Sequence, residues 1–142
     1  MSLTLAAFLT TLAFHFAWEM LQASAFEEFA ATVWEGTVRC FAAALGDVLI
    51  AGGAYLATAL VFRHASWPLR HGWVAPAVTW IALGVIVTVM FELWALERRR
   101  WAYGSSMPLV FGIGLLPLLQ WVVVPALTLT LVRRLTGRMG TP

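Results

Sequence analysis

Charged residues are scarce in this chain, and their scarcity limits the kind of protein it can be. Only 11% of the 142 residues are charged, whereas 61% are hydrophobic and the mean hydropathy is +0.84. Soluble domains are usually about 45–50% apolar and about 25% charged. A soluble domain of this size leaves much of its surface in water, so it has no room to hide this much apolar surface. The composition predicts a single transmembrane domain, over residues 1–142, with lipid as its solvent.

Lysine is absent and cysteine occurs once. All nine basic residues are arginine, which together with abundant alanine indicates a GC-rich bacterial genome. The net charge of +2 is too small and too dispersed to favour nucleic acid as a partner. Because Cys40 stands alone, an intrachain disulfide and a thiolate metal cluster are excluded. We interpret Cys40 as a small packing residue.

Four apolar runs are long enough for membrane-spanning helices, which need roughly 20 residues each. The predicted spans are about 3–22, 37–62, 73–96 and 107–132. Strand-like alternation is missing from them, and only helices and closed barrels satisfy the backbone in hydrocarbon. We therefore predict an all-α fold, an integral membrane antiparallel four-helix bundle. Residues 25–35 are predicted to form either a short interfacial helix or an irregular loop.

The arginines favour one orientation narrowly. The N-terminus, the second connection and the C-terminal tail fall on one side, which holds five arginines and no acid, against four arginines on the other side. The positive-inside rule counts basic residues. It therefore predicts that the N- and C-termini are cytoplasmic, in a bacterial cytoplasmic membrane. The second connection contains His64 and His71, which we interpret as surface histidines of a solvated turn.

Polar side chains fall inside every predicted span, where an Asp or Arg at the centre costs on the order of 2.5–3.5 kcal/mol. Such residues usually face the interior of a bundle and mark a site or a pathway. A helix rises about 1.5 Å per residue, which gives the depth of each polar residue. Five of them lie either in the half of the membrane opposite the termini or close to the middle of the membrane. These five are His15, Glu19, Asp47, Glu92 and Gln120. They predict one shared cavity that opens on that side, with ligand entry from there or from the membrane.

Spacing adds detail on the first and third spans. Residues three or four apart share a helix face, and two such stripes occur: Thr11, His15, Glu19 and Gln22 on the first span, and Gly84, Thr88 and Glu92 on the third. Because the side chain of Asp47 is too short to reach water from the middle of the span, a functional role is favoured for it. For Thr88 and Gln120 taken singly, hydrogen bonding between helices remains the alternative.

Three intramembrane carboxyl groups and one imidazole leave three chemistries open. The first is acid–base catalysis on a lipid, because a carboxyl group removed from water can keep its proton near neutral pH and donate it. The second is a proton or ion pathway through the same groups. The third is a metal site, the weakest of the three, since there is one imidazole and no E-x-x-H pair. We predict no metal and no cofactor.

The stretch from Phe91 to Gln120 carries a family resemblance. Phe91-Glu92-Leu-Trp-Ala95, then Trp101-Ala-Tyr103, then Gly114-Leu-Leu-Pro117 resembles the lycopene-cyclase domain of carotenoid biosynthesis, in a superfamily that includes sterol isomerase-like membrane proteins. Leu119 and Gln120 stand where that family has paired glutamates. The resemblance implies a non-redox proton-transfer enzyme, or a binding protein, for an apolar isoprenoid.

The predicted site therefore has two groups of residues. The proton-handling candidates are Asp47, Glu19, Glu92 and His15, and the ligand-binding candidates are Gln120, Trp101, Tyr103, Thr88 and Trp18. For Trp101 and Tyr103, the alternative is that they are interfacial aromatic residues. Membrane lipid and an apolar isoprenoid are the predicted ligands.

Two other classes of function stay open: a transporter or channel subunit that assembles as a homo-oligomer, and an accessory subunit of a larger membrane complex. A pocket protein should turn Asp47 inward beside an elongated apolar cavity. A channel should turn it toward a symmetry axis, and an accessory subunit should turn it outward.

Overall fold

The computed structural model describes residues 3–27 and 30–139, and helices account for most of them. The described chain contains four α-helices, α1 (Leu3–Gln22), α2 (Val33–Phe62), α3 (Val74–Glu97) and α4 (Leu115–Met139). The first begins and ends where the hydropathy predicted, and the third lies one residue further along than predicted. The second begins at Val33 rather than at residue 37, because the hydroxyl of Thr32 accepts the backbone N–H of Glu35 and caps the helix there.

The start of the fourth helix differs from the prediction. Residues 107–114, predicted as the first turns of a span, are not helical. They contain two short antiparallel strands, β1 (Leu109–Val110) and β2 (Ile113–Gly114). Phe111 and Gly112 between them have positive φ angles of 51° and 81°, and a helix excludes that conformation. The apolar run is therefore longer than the helix, which begins only at Leu115.

The segment between α1 and α2 is not a separate helix in its described part. A single 3-10 turn over Ala23–Ala25 follows α1, and Phe26 then forms an isolated antiparallel bridge with Tyr103. Residues 28 and 29 of the predicted interfacial helix, 25–35, lie outside the described residues. The described remainder of that range is an irregular loop and the first turn of α2.

Backbone hydrogen bonds join this loop to the α3–α4 connection. The N–H of Glu27 donates to the carbonyl of Ala102 at 2.9 Å, and the N–H of Gly104 donates to the carbonyl of Ala25 at 2.8 Å. Both connections lie at the end of the molecule where α1 and α3 end. The pairing therefore joins the two connections to each other at that end.

Each helix packs most extensively against two others: α1 and α3 both pack against α2 and α4. Small residues of α2 allow large aromatic residues to approach the backbone, and the indole N–H of Trp80 donates to the carbonyl of Ala51 at 2.9 Å. On α3, Gly84 has the same function for Trp121 of α4. A Cβ atom at Gly84 would lie 2.0 Å from Cε3 of Trp121, so only glycine leaves room for this fully buried ring.

Three of the helices, α2, α3 and the Leu115–Thr136 part of α4, are long and apolar enough to cross a membrane. The fourth, α1, has 20 residues and carries the polar side chains of His15, Glu19 and Gln22. Large apolar side chains are exposed on the helix surfaces, as Leu49 and Leu60 of α2 show with 78% exposure each. An apolar outer surface of this kind is what lipid requires and what water disfavours.

Candidate functional site

Three helices contribute to one buried polar contact. The side-chain amide of Gln120, on α4, donates to Oδ2 of Asp47, on α2, at 2.8 Å. The same amide nitrogen lies 2.9 Å from Nδ1 of His15, on α1, and that ring nitrogen lies 3.3 Å from the same carboxylate oxygen. His15 is fully buried and Gln120 is 2% exposed. The polar residues predicted on separate spans therefore meet inside the protein.

Gln22 extends this contact along α1. Its amide nitrogen donates to Oε1 of Glu19 at 2.8 Å and to the amide oxygen of Gln120 at 3.4 Å. Its amide oxygen accepts the indole N–H of Trp18 at 3.2 Å, and this N–H also donates to the carbonyl of Leu116 at 3.2 Å. Glu19 and Asp47 lie close enough to repel each other when both are charged. These contacts form a continuous network, which we call the α1 network: His15, Trp18, Glu19, Gln22, Asp47 and Gln120.

Glu92 of α3 belongs to a second polar group. One of its carboxylate oxygens accepts the indole N–H of Trp101 at 3.2 Å and also the hydroxyl of Tyr103. Both aromatic rings pack against Phe26, with centroid distances of 6.5 Å and 5.7 Å. Burial and the contact with Glu92 raise the pKa of the Tyr103 hydroxyl above its ordinary value, so it stays a neutral donor at neutral pH.

Some buried polar atoms near these groups have no hydrogen-bond partner among the described residues. They include Nε2 of His15, the indole nitrogen of Trp121, whose ring lies 5.4 Å from His15, and the hydroxyl of Thr88. A buried polar group without a partner costs about 1–3 kcal/mol. A ligand or a water molecule that satisfied such an atom would recover part of that free energy.

An apolar cavity of about 490 Å³ begins within one helical turn of the α1 network, although none of the six network residues is in its lining. Its lining includes Thr11, one helical turn before His15, and Ala51, one turn after Asp47. Exposed residues at its edge, among them Gly52 and Leu69, show that it opens on the outer surface. No charged side chain is part of its lining. The cavity is therefore built to hold an uncharged, apolar group.

The position of this cavity differs from the one expected. Its lining extends to Ala65, Ser66 and Leu69 of the α2–α3 connection, which lies on the side of the chain termini rather than on the opposite side. The small residues Ala51 and Gly52 of α2 leave the space that this cavity occupies.

The predicted site residues fall into three sets. His15, Asp47, Gln120 and Trp18 belong to the α1 network, as does Glu19, which Gln22 connects to it. Glu92, Trp101 and Tyr103 form the second group. Thr88 is buried one turn before Glu92 and makes no hydrogen bond to a described residue. In residues 3–27 and 30–139, no set of three His, Cys, Asp or Glu side chains is arranged to hold a metal ion.

Two residues of the site were not among the sequence-derived site candidates. Gln22 connects Glu19 to Gln120, and its position on the same face as His15 was the available signal. Trp121 packs against His15, and its apolar ring gave no signal of its own, although the neighbouring stripe contains Gly84, which accommodates it.

Comparisons with protein-family models, with curated proteins and with solved structures found no match for this chain.

Proposed function

We propose that this chain is an integral membrane protein that binds an apolar, isoprenoid-type lipid in the 490 Å³ cavity and transfers protons to and from it. The observation that carries the proposal is the contact of His15, Asp47 and Gln120 beside an apolar cavity. Acid–base groups in a water-poor interior are costly, and a ligand-binding role explains why they are placed together there.

Membrane insertion is supported by the distribution of polar and apolar residues. Three helices have the length and composition of spans, and the ring of contacts α1–α2–α3–α4 suits an antiparallel bundle of four. On α1, His15, Glu19 and Gln22 have partners within the protein, whereas Leu9 and Leu21 are exposed. The polar face of α1 is turned inward, so α1 also suits lipid on its other face.

The arginine distribution places both termini in the cytoplasm in this proposal. The membrane is then the cytoplasmic membrane of a bacterium.

Lipid binding is supported by the size and lining of the cavity. Cavities of about 300–1,000 Å³ with mostly apolar walls are typical of sites for small molecules. Here the walls come from all four helices and the α2–α3 connection, and the opening faces the surface that lipid would cover. A ligand can enter from the membrane without crossing water. The isoprenoid class is taken from the resemblance to the lycopene-cyclase domain.

The chemistry that these groups suit is a double-bond shift without redox change. A protonated acid donates its proton to one carbon of a double bond, and a base removes a proton from the carbon next to the resulting cation. One C–H bond forms, one breaks, and the double bond moves. His15 and Asp47 share a polar contact through which the proton can pass from the base back to the acid.

A channel or an accessory subunit would direct Asp47 away from its own chain. Instead, Asp47 contacts His15 of α1 and Gln120 of α4, and its side chain is 16% exposed. This geometry favours a pocket within one chain over a pathway between copies.

Two neighbouring glycines of α2 offer a matched test of the cavity. Gly52 lines it and Gly53 does not, and an added Cβ atom has open space at both positions. We expect Gly52→Leu to fill the opening and to lower the retention of squalene, used as a linear apolar isoprenoid probe, by at least about tenfold in native mass spectrometry. Gly53→Leu adds the same side chain to the same helix and should leave retention unchanged. Equal retention in both variants and the wild type would refute the assignment of this cavity as the lipid site.

A further inference from the structure

The α2–α3 connection is rich in positive charge and has no acidic residue near it in the sequence. Residues 48–91 contain no Asp or Glu, and neither do residues 98–142. Both helix ends that flank the connection, and the C-terminal half of α4 beside it, belong to these stretches. Neither stretch can therefore supply a carboxylate to pair with the arginines at this end of the molecule.

A second cavity, of about 250 Å³, lies within this connection. Its lining includes Arg70, His64 and His71. Nη1 of Arg70 lies 2.9 Å from both ring nitrogens of His64. Among the described residues Arg70 has no carboxylate partner, and a guanidinium that lines a cavity offers further N–H groups that an anion can accept.

One residue of the cavity lining, Trp67, and one arginine packed against the lining, Arg133, are further donors at this cavity. Trp67 is 2% exposed, and its indole N–H has no hydrogen-bond partner among the described residues. The guanidinium of Arg133 lies 4.5 Å from the ring centroid of Trp73, which also lines the cavity, and it donates to the carbonyl of Pro68. These contacts hold a second positive charge beside the cavity.

The N-terminus of α3 borders the same cavity through Ala75 and Pro76 of its first turn. This 24-residue helix has no acidic residue in the first turn, and its N-cap residue, Trp73, makes no side-chain capping bond. The positive end of the helix dipole therefore has no negative partner in the first turn or at the cap, and free N–H groups at such an end favour anions.

We propose that this second cavity binds a phosphate group, carried either by a phospholipid or by free inorganic phosphate. The cavity lies where two membrane-length helices meet at their ends, which is the depth at which lipid phosphates lie. Arginine matches phosphate geometry with paired N–H groups, and the indole and histidine donors complete the set. The proposal is independent of the lipid cavity beside the α1 network.

Arg70 and Arg134 provide the test and its control. Both are exposed arginines at the same end of the molecule, and only Arg70 lines the cavity. With the full chain in an uncharged detergent, inorganic phosphate is titrated by calorimetry, and phosphatidylglycerol retention is measured by native mass spectrometry. We expect Arg70→Gln to weaken binding by at least about tenfold, because it removes a charge-assisted hydrogen bond. Arg134→Gln should change it little, and His71→Gln provides a second variant at the cavity.

The two measurements separate the two sources. Loss of phosphate binding in Arg70→Gln assigns free phosphate, whereas selective loss of phosphatidylglycerol alone assigns a lipid headgroup. If the wild type binds neither probe, or if Arg134→Gln weakens binding as much as Arg70→Gln does, the proposal is overturned.

Discussion

At the scale of single residues, one amide organises the centre of the site. Gln120 donates to Asp47, lies against the ring nitrogen of His15 and accepts from Gln22. An amide can do this because it carries both donors and an acceptor, whereas a carboxylate only accepts. At this position, glutamine adds no further negative charge beside Asp47.

The sequence predicted which residues would be buried and polar, but not which pairs would touch. Helical spacing put His15 and Glu19 on one face, and depth put Asp47 and Gln120 in the same layer. The link through Gln22 depends on how α1 is rotated relative to α4. The spacing of residues in the sequence does not determine that rotation. For the same reason, Glu92 could not be assigned in advance to Trp101 and Tyr103 rather than to Asp47.

A prediction at this scale concerns Gly84. Because a Cβ atom there would lie 2.0 Å from the Trp121 ring, Gly84→Ala should force the ring and α4 to shift. Overpacking of this kind costs about 1–3 kcal/mol, and the thermal unfolding midpoint in detergent should fall. The control is Gly53→Ala, where the added atom meets nothing within 4 Å. That variant should be neutral or stabilising, since alanine favours helix. An unchanged midpoint in Gly84→Ala would contradict the packing of Trp121 against α3.

At the scale of elements, hydropathy predicted four helices but misplaced both ends of the fourth and the start of the second: α2 begins at Val33 rather than 37, and α4 runs over Leu115–Met139 rather than 107–132. Residues 107–114 are apolar, so they continue the run of the fourth span, but Pro108 and Gly112 favour a turn. A left-handed conformation at Phe111 and Gly112 reverses the chain, and the helix starts after it. Turn geometry prevailed over hydrophobicity because the helix requires negative φ at every residue.

The loop pairing at this end leads to a second prediction. Tyr103 connects the α3–α4 connection to Glu92, so Tyr103→Phe removes the donor and retains the ring that packs on Phe26. We expect faster hydrogen exchange in residues 101–104 and in residues 23–27, measured by mass spectrometry. A hydrogen bond to a charged group contributes about 1.5–3 kcal/mol, so opening of the paired loops should be at least roughly tenfold more frequent.

The control for Tyr103 is Tyr55→Phe, which removes a hydroxyl from the other end of the molecule, where it donates to the carbonyl of Ala65. Exchange in 101–104 should not respond to it. Equal exchange in Tyr103→Phe and the wild type would show that the hydroxyl does not hold the loops together.

At the scale of the whole molecule, the proposed orientation can be tested with two serines. Ser66 lies in the α2–α3 connection and Ser105 in the α3–α4 connection, and both are exposed. In intact spheroplasts, a membrane-impermeant maleimide should label Ser105→Cys and leave Ser66→Cys unlabelled until the membrane is opened. Cys40 is buried and provides little background. The reverse labelling pattern would place the termini outside, and labelling of both would refute a spanning bundle.

The side on which the cavity opens could not be predicted from the sequence. Polar residues lie nearer one end of the helices, which suggested an opening there. The loops at that end pair with each other across a long sequence separation. The small residues of α2, Ala51 and Gly52, instead leave space toward the other end. A cavity is set by what the side chains leave empty, and that depends on all four helices at once.

Deuterium transfer to the bound lipid tests the central claim most directly. The full chain, purified with its own lipid, is incubated in deuterated buffer, and the extracted lipid is analysed by mass spectrometry. Proton transfer by the α1 network predicts that the lipid exchanges carbon-bound hydrogen for deuterium. Asp47→Asn should retain the same lipid and incorporate deuterium at least about 100-fold more slowly, the lower range for loss of a general acid or base. A lipid that stays unlabelled on the wild-type protein, or equal labelling in Asp47→Asn, would contradict the account.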